Sequence, residues 1–316
     1  MIKNKIAIIG AGNIGSTLAH IIMINQIADV AMFDVDSDIV KGKSIDIMQS
    51  KSLFASSVKF SLENDYKNLS RAKIIVVTAG VPRKPGMSRE DLVDINANVI
   101  KEVGIKIKKY ADKDSIVIVV TNPLDIMTWV MYKTTGFSKN RIIGMAGILD
   151  TSRFVYFLSE ELKVDVSDIQ AMVLGGHGDA MLPLISYCNV AGIPLKDYVT
   201  KNILTEQKLN DIIDRTKNGG AEIVSYLKTG SAYYAPASSI YQMVVSIFND
   251  SNKVLPCSTY LEGEYGLSDI FIGVPVTLNL QGRNKVINLD LTNDEKKQLY
   301  KSADVIKEIT SKISII

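Results

Sequence analysis

The two histidines of this 316-residue sequence are its candidates for proton transfer at neutral pH, and their surroundings differ. His177 lies in the run Gly-Gly-His-Gly-Asp, where the backbone can take an unusual path and a ligand can come close. An imidazole titrates near neutrality, so it can accept a proton from an alcohol and return it to a carbonyl. His20 lies among apolar residues of a helical stretch, and we interpret it as structural. His177 is therefore the candidate acid–base residue.

Asp150 and Arg153 are candidates for groups that would work with this histidine. Their spacing of three residues places both side chains on one face of a predicted helix. The Asp150 carboxylate could hydrogen-bond the His177 ring and stabilise its protonated form, while the Arg153 guanidinium could bind a substrate carboxylate through its two-pronged donor geometry. Taken alone, such a pair is more often a surface ion pair without function, because i, i+3 pairs are common and weak.

A basic loop over residues 81–89 is a third candidate site. It carries Arg83, Lys84 and Arg89 together with two prolines and a glycine. Loops of this composition can act as lids that close over a bound ligand. An ordinary solvated basic loop is the alternative interpretation.

A glycine motif near the N-terminus predicts a nucleotide site. Gly10, Gly12 and Gly15 follow a predicted strand and open a predicted helix, where they would allow a tight turn, close approach of a pyrophosphate and close helix–strand packing. Asp34 ends the next predicted strand, 19 residues after Gly15, as expected for a carboxylate that holds a ribose diol. An acid there repels a 2′-phosphate, which favours NAD over NADP. A flexible turn and a solvated aspartate form the alternative.

Short apolar runs alternate with helical stretches over the first half of the chain, which is typical of parallel strands joined by crossover helices. Each run is β-branched and nearly free of polar residues, so we expect strands buried on both faces. The predicted strands are Lys5 to Ile9, Val30 to Asp34, Lys73 to Thr78, Ser115 to Thr121 and Arg141 to Met145. Asn122, after the fourth strand, is a candidate to hydrogen-bond both cofactor and substrate, or else a helix cap before Pro123.

The pattern changes after about Gly147. Helical stretches at 150–162, 206–227 and 231–248 surround a predicted strand at 170–174, and glycine-interrupted runs at 254–261, 270–280 and 285–289 predict bent or antiparallel strands. Thr292 and Glu295 form a capping box that begins a last helix. We therefore expect an α/β chain with a Rossmann-type, doubly wound parallel sheet over residues 1–147. A mixed α/β substrate domain would follow over residues 148–316.

Composition excludes several classes of protein. Lys and Arg total 36 against 34 Asp and Glu, without a block of like charge, which argues against binding to nucleic acid or an anionic membrane. No apolar run is long enough to predict a membrane-spanning helix. Cys188 and Cys257 are too few for a disulfide framework or a paired-cysteine metal motif, so we expect no metal. The N-terminus passes directly into a strand-like run, and we expect a cytoplasmic protein.

Together these motifs resemble the lactate/malate dehydrogenase superfamily, and within it the lactate-dehydrogenase-like branch of bacterial malate dehydrogenases. The matching segments are the glycine loop, Asp34, 83–89, 121–123, the Asp150–Arg153 pair, 174–181 and 229–236. The resemblance covers the whole chain and implies reversible oxidation of (S)-malate to oxaloacetate by hydride transfer to NAD, as in the tricarboxylic acid cycle. It also implies a homo-oligomer, a tetramer or otherwise a dimer.

The resemblance assigns roles to individual residues. His177 would take the hydroxyl proton and Asp150 would hold the imidazolium, while Arg153 binds the C1 carboxylate. Arg89 would polarise the C2 oxygen. Arg83 would pair with the C4 carboxylate, because family members that prefer lactate or pyruvate carry an uncharged residue there.

The resemblance also implies a set of ligand-lining residues. Asn122 would position both ligands, and the NAD site would be lined by Gly10, Ala11, Gly12, Asn13, Ile14, Gly15, Asp34, Asn96, Val120, Thr121 and Asn122. The nearest alternative is a lactate dehydrogenase or another 2-hydroxyacid dehydrogenase. From a different class, a catalytically silent NAD-binding protein would share the fold, because fold alone does not establish activity.

Overall fold

The structure is a computed structural model that describes residues 4–63, 65–82 and 87–314, with the side chain of Arg89 outside the described set. Its first half alternates strands and helices. These are β1 (Lys5–Ile9), α1 (Asn13–Ile24), β2 (Asp29–Phe33), α2 (Ser37–Ser50), β3 (Phe60–Glu63), β4 (Ala72–Val77), α3 (Arg89–Tyr110), β5 (Ile116–Val119), α4 (Leu124–Thr135) and β6 (Ile142–Gly144). The six strands pair in parallel in the order β3-β2-β1-β4-β5-β6. The chain order reverses between β1 and β4, the point at which doubly wound sheets bind ligands.

The second half extends this sheet with antiparallel strands. Its elements are α5 (Gly147–Leu162), β7 (Ile169–Gln170), β8 (Val173–Gly175), β9 (Met181–Pro183), β10 (Asn189–Val190), β11 (Ile193–Pro194), α6 (Leu195–Thr200), α7 (Glu206–Leu227), α8 (Tyr234–Phe248), β12 (Lys253–Glu262), β13 (Ser268–Asn279), β14 (Gly282–Val286) and α9 (Asn293–Ser311). Strand β12 pairs with β6, so that the sheet continues through β13, β8 and β9, with β14 on β13. Strands β7, β10 and β11 form a separate small sheet.

The parallel strands are buried on both faces, as their composition predicts. In β1, Ile6 and Ile8 belong to one buried cluster, whereas Ala7 and Ile9 belong to another. The first cluster includes residues of α1 and α8, and the second includes residues of α3 and α4. The alternation of a strand's side chains between two covered faces explains why these segments are almost wholly apolar. The α/β fold class, with a parallel sheet followed by a mixed α/β part, is confirmed.

The predicted strand at 170–174 is wrong as a single element. The chain leaves the small sheet after Gln170, where β7 pairs with β10, and enters the large sheet at Val173, where β8 pairs with β9 and β13. One apolar run therefore serves two sheets. The antiparallel pairing of β12 with β13 is confirmed, whereas β14 begins at Gly282, earlier than the predicted 285–289. The capping box of Thr292 and Glu295 at the start of α9 is also confirmed.

Sequence reasoning missed α2 and set the start of α8 too early. Helix α2 is largely polar and buries only Val40, Ser44 and Ile47, which is a narrow stripe that periodicity detects poorly. Helix α8 begins at Tyr234 rather than at 231. Within the described part of the chain, no helix is long and apolar enough to cross a membrane.

Candidate active site

The glycine loop lies between β1 and α1, against the end of β4. Gly10 has φ of +112°, and a Cβ there would collide with Thr78 Oγ1 and lie 2.8 Å from the backbone nitrogen of Ala79. A Cβ on Gly15 would collide with the Gly10 carbonyl oxygen. Gly12, by contrast, precedes α1 and has open space where a Cβ would point. No neighbour among the described residues therefore explains a glycine at position 12, whereas a phosphate approaching the helix N-terminus would.

Asp34 lies beside this loop, at the end of β2. Its Oδ2 accepts a hydrogen bond of 2.5 Å from the backbone N–H of Ala11, and its Oδ1 accepts one of 3.1 Å from Asp36. The carboxylate is partly exposed. A dinucleotide with its pyrophosphate at the loop would therefore find a hydrogen-bond acceptor for its ribose hydroxyls close by. These residues fit such a ligand.

Asn96 and Asn122 connect the ends of β4 and β5. The fully buried Asn96 side chain accepts a hydrogen bond from Val81 N–H (2.8 Å) and donates to the carbonyls of Val81 (3.1 Å) and Asn122 (2.7 Å). Its amide therefore holds together the two loops that follow β4 and β5 at the carboxyl edge of the sheet. Thr121 does the same through a 2.6 Å hydrogen bond from Oγ1 to the Ala79 carbonyl. Asn122 is exposed and does not cap α4, whose N-cap residue is Pro123.

His177, Asp150 and Arg153 come together as the spacing predicts. His177 Nδ1 lies 2.8 Å from Asp150 Oδ2, and Arg153 Nη1 lies 3.5 Å from Asp150 Oδ1. Asp150 is 1% exposed, in the first turn of α5. Because a carboxylate only accepts hydrogen bonds, Nδ1 carries the proton of the neutral ring and Nε2 remains an acceptor. The surface-pair interpretation of Asp150 and Arg153 is therefore wrong.

The charges in this cluster set the protonation of the histidine. Burial acts to lower the pKa of His177, but the negative charge of Asp150 and its hydrogen bond outweigh burial and raise that pKa above its ordinary value. Arg153 acts in the opposite direction. Burial also lowers the pKa of Arg153, against the effect of Asp150, but an arginine remains a cation at neutral pH. His177 can therefore hold a proton while Arg153 binds a carboxylate.

Asp125 and Gly219 also belong to this region, and sequence reasoning missed both. Asp125 accepts a hydrogen bond of 2.9 Å from the backbone N–H of His177. Gly219 of α7 faces Arg153, whose Cδ would lie 3.0 Å from a Cβ at that position. A carboxylate in the otherwise apolar start of α4 is the one sequence signal that points to Asp125.

The basic loop is only partly described. Arg83 and Lys84 lie outside the described residues, as does the side chain of Arg89, whose backbone begins α3. Ser88 caps this helix, because its Oγ accepts from Asp91 N–H and its own N–H donates to Asp91 Oδ2, each at 3.0 Å.

His20, interpreted as structural, packs edge-on against Phe54 with ring centroids 6.0 Å apart. No group of three or more His, Cys, Asp or Glu residues in the described ranges could hold a metal ion.

The fold and these residues define a dinucleotide-binding α/β protein with a cluster of histidine, carboxylate and guanidinium groups whose geometry is suited to acid–base chemistry. Residues 4–144 match the family model for the lactate/malate dehydrogenase NAD binding domain, and residues 148–314 match the model for the alpha/beta C-terminal domain of the same family. The chain belongs to the lactate/malate dehydrogenase family.

Solved structures agree in fold over nearly the whole chain. Malate dehydrogenase from Cryptosporidium parvum is 42% identical, with a TM-score of 0.95 and 98% of each chain covered. Malate dehydrogenase from Picrophilus torridus is 42% identical, with a TM-score of 0.93 and coverage of 98% of this chain and 97% of that one. Lactate dehydrogenase from Cryptosporidium parvum, solved with lactic acid and nicotinamide adenine dinucleotide, is 36% identical, with a TM-score of 0.95 and 98% of each chain covered.

These findings confirm the resemblance to the superfamily and the choice of NAD as cofactor. The chain is an NAD-dependent oxidoreductase of the lactate/malate dehydrogenase family. Its relatives include enzymes named for malate and enzymes named for lactate.

Proposed function

We propose that the chain is an NAD-dependent malate dehydrogenase that interconverts (S)-malate and oxaloacetate. The dehydrogenase chemistry rests on one observation, the contact of His177 Nδ1 with Asp150 Oδ2 in a cluster that includes Arg153. The choice of a four-carbon dicarboxylate is supported by the sequence, which carries Arg83 in addition to Arg89 in the basic loop.

His177 moves the proton of the reaction. During malate oxidation its Nε2 takes the proton from the C2 hydroxyl, and during oxaloacetate reduction the same atom returns it. Asp150 keeps the ring in the orientation and tautomer that leave Nε2 free, and it stabilises the imidazolium that forms. The raised pKa of His177 favours this protonated form, which oxaloacetate reduction requires.

The arginines bind and polarise the substrate. Arg153 holds the C1 carboxylate, for which a planar guanidinium supplies two parallel donors. Arg89 polarises the C2 oxygen, where negative charge develops as oxaloacetate is reduced, so this contact strengthens in the transition state. Arg83 pairs with the C4 carboxylate, and Asn122 positions the substrate beside the cofactor.

The cofactor site is the edge formed by the ends of β1, β2, β4 and β5. The lining residues are Gly10, Ala11, Gly12, Asn13, Ile14, Gly15, Asp34, Asn96, Val120, Thr121 and Asn122. NAD, when bound, supplies the acceptor for the hydride that leaves C2. Gly12 would let the backbone approach the pyrophosphate, and Asp34 would accept hydrogen bonds from the ribose hydroxyls.

The proposal extends to domains and setting. Residues 1–147 form the NAD-binding domain and residues 148–316 form the substrate domain. The enzyme acts in the cytoplasm as a homotetramer, or otherwise a dimer, and serves the tricarboxylic acid cycle. Size-exclusion chromatography with light scattering measures the oligomeric state.

The test compares kcat/KM for oxaloacetate and for pyruvate with purified protein. Both reactions are monitored through the oxidation of NADH at 340 nm. With pyruvate, a closed loop would leave the Arg83 cation without its carboxylate, which costs about 3 to 5 kcal/mol for a buried pair. That cost corresponds to a preference for oxaloacetate of about a hundredfold to a few thousandfold. A preference for pyruvate would instead identify a lactate dehydrogenase.

Two variants separate specificity from catalysis. Arg83→Gln lowers the ratio of oxaloacetate to pyruvate kcat/KM, because the C4 carboxylate loses its cation; an unchanged ratio would remove this role. His177→Asn retains NADH binding but loses turnover, because asparagine cannot transfer the proton that the imidazole carries. If the wild-type protein binds NADH and turns over neither substrate, it is a silent NAD-binding protein.

A further inference from the structure

Asp125 is a buried carboxylate without a salt-bridge partner in the described part of the chain. It lies in the first turn of α4 and is 4% exposed. Its Oδ1 accepts a 2.6 Å hydrogen bond from the Ser258 hydroxyl of β12, and its Oδ2 accepts the 2.9 Å bond from His177 N–H. Burying a carboxylate without an ion-pair partner costs free energy, and desolvation raises the pKa of Asp125. A valine or leucine would fill such a position in a helix core at no such cost.

The backbone around His177 depends on side chains for its position. Strand β8 ends at Gly175, whose φ is +82°, and Gly178 has a φ of +103°. The N–H of Gly176 donates to Ser302 Oγ at 2.7 Å, and the N–H of His177 donates to Asp125. Two successive amides are therefore held by side chains of α9 and α4 after the strand ladder stops. Because glycines flank His177 on both sides, these two hydrogen bonds determine where the main chain of His177 lies and hence where its side chain starts.

Asp125 also belongs to the electrostatic surroundings of the imidazole. Among the described side chains, the charged groups that act on His177 are Asp150 and Arg153 from α5 and Asp125 from α4. The charge of Asp125 raises the pKa of His177, and a protonated His177 in turn lowers the pKa of Asp125. This coupling is reciprocal, because both effects express one interaction between the same two groups.

We propose that Asp125 is a positioning residue of the dehydrogenase reaction, which fixes the main chain of His177 and adds a second negative charge that acts on its imidazole. Because only Pro123 separates Asn122 from the start of α4, this helix connects the segment that follows β5 to the proton-transferring histidine. This inference rests on the proposed function for its kinetic test, and it has a second test that needs no turnover.

The kinetic test uses Asp125→Ala, Asp125→Asn and, as a matched control, Thr128→Ala. Thr128 is also buried on α4, but its hydroxyl donates within the helix to Leu124. Asp125→Ala lowers kcat for oxaloacetate about 10- to 100-fold, because misplacement of a reacting group is costly, while NADH affinity is retained. Asp125→Asn keeps one oxygen to accept from His177 N–H, so kcat recovers to within about fivefold of wild type. Thr128→Ala retains wild-type kcat.

The second test is an NMR titration of the two histidines in ¹⁵N-histidine-labelled protein, assigned with His177→Asn. In Asp125→Asn the pKa of His177 falls, because a negative charge that acts on the ring is lost. The alkaline limit of oxaloacetate reduction moves to lower pH by a similar amount. His20 serves as the internal reference, and Thr128→Ala leaves the His177 titration unchanged.

The outcomes separate the two proposals. Wild-type kcat in Asp125→Ala, or an unshifted His177 titration in Asp125→Asn, would overturn the positioning role. Equal loss of kcat in the alanine and asparagine variants, with lowered thermal stability and no change in titration, would show a purely structural role and also overturn it. Absence of wild-type turnover with either substrate would overturn the proposed function, while the titration would still decide the coupling between Asp125 and His177.

Discussion

The packing of α7 on Arg153 leads to a prediction that two neighbouring glycines can test. A Cβ at Gly219 would lie 3.0 Å from Arg153 Cδ and 3.4 Å from Nε, whereas a Cβ at Gly220 would lie 3.8 Å from Nη2. Non-bonded carbon atoms normally approach to about 3.5 to 4.0 Å. Gly219→Ala therefore displaces the Arg153 side chain by several tenths of an ångström, and Gly220→Ala does not.

The size of the effect follows from the proposed task of Arg153. A hydrogen bond to a charged group contributes about 1.5 to 3 kcal/mol, so loss of one arm of a two-pronged carboxylate contact costs about 1.5 kcal/mol. That is about tenfold in kcat/KM for oxaloacetate. The C1 carboxylate is held in both the ground state and the transition state, so the change falls mainly on KM.

The assay measures KM and kcat for oxaloacetate, with NADH saturating, in Gly219→Ala, Gly220→Ala and the wild type. Alanine is favoured over glycine in a helix by about 1 kcal/mol, so neither variant is expected to lose much stability, which thermal unfolding checks. Gly220→Ala should keep wild-type KM. If Gly219→Ala shares a KM within twofold of that control, then α7 does not set the position of Arg153 or Arg153 does not bind the carboxylate.

Two further predictions concern carboxylates. Asp150→Asn removes the charge that raises the pKa of His177, so the upper pH limit of oxaloacetate reduction moves to lower pH. We also expect kcat to fall by about 10³- to 10⁴-fold, as happens when the carboxylate that orients a catalytic histidine in a Ser-His-Asp triad is neutralised. A pH–rate profile with an unmoved alkaline limit would contradict this. Asp34→Ala weakens NADH binding about tenfold or more, because a charged acceptor for the ribose is lost, and narrows the preference over NADPH. Fluorescence titrations that give unchanged affinity for both nucleotides would refute the ribose contact.

The parts that could be predicted from the sequence are those determined by local spacing. The glycine loop and Asp34 belong to one strand–turn–helix unit, and Asp150 and Arg153 lie on adjacent turns of one helix, so sequence distance translates directly into spatial distance. The buried strands were predictable for a similar reason, because both faces are covered and nearly every residue must be apolar. Their ends shift by a residue or two, since polar groups that follow a strand satisfy the same periodicity.

Contacts between distant segments left no comparable signal. Asp125 and His177 are 52 residues apart, and their hydrogen bond joins a side chain to a backbone amide, which any residue other than proline offers. Gly219 faces Arg153 only because α7 packs on α5. The split of 170–174 between two sheets depends likewise on β10 and β13, which lie later in the chain.

The junction of the two halves determines where the charge of Asp150 lies. Strand β6 meets β12 at the pair of Gly144 with Ser258, and α5 starts three residues later at Gly147. A Cβ on Gly147 would lie 2.8 Å from Pro256 Cβ of β12 and would collide with the Val173 carbonyl of β8. The N-terminus of α5 is thus pressed between the strand that leads to His177 and the strand that carries Ser258. Its first turn must then present Asp150 to the histidine, where the positive end of the helix favours the negative charge that the imidazolium needs.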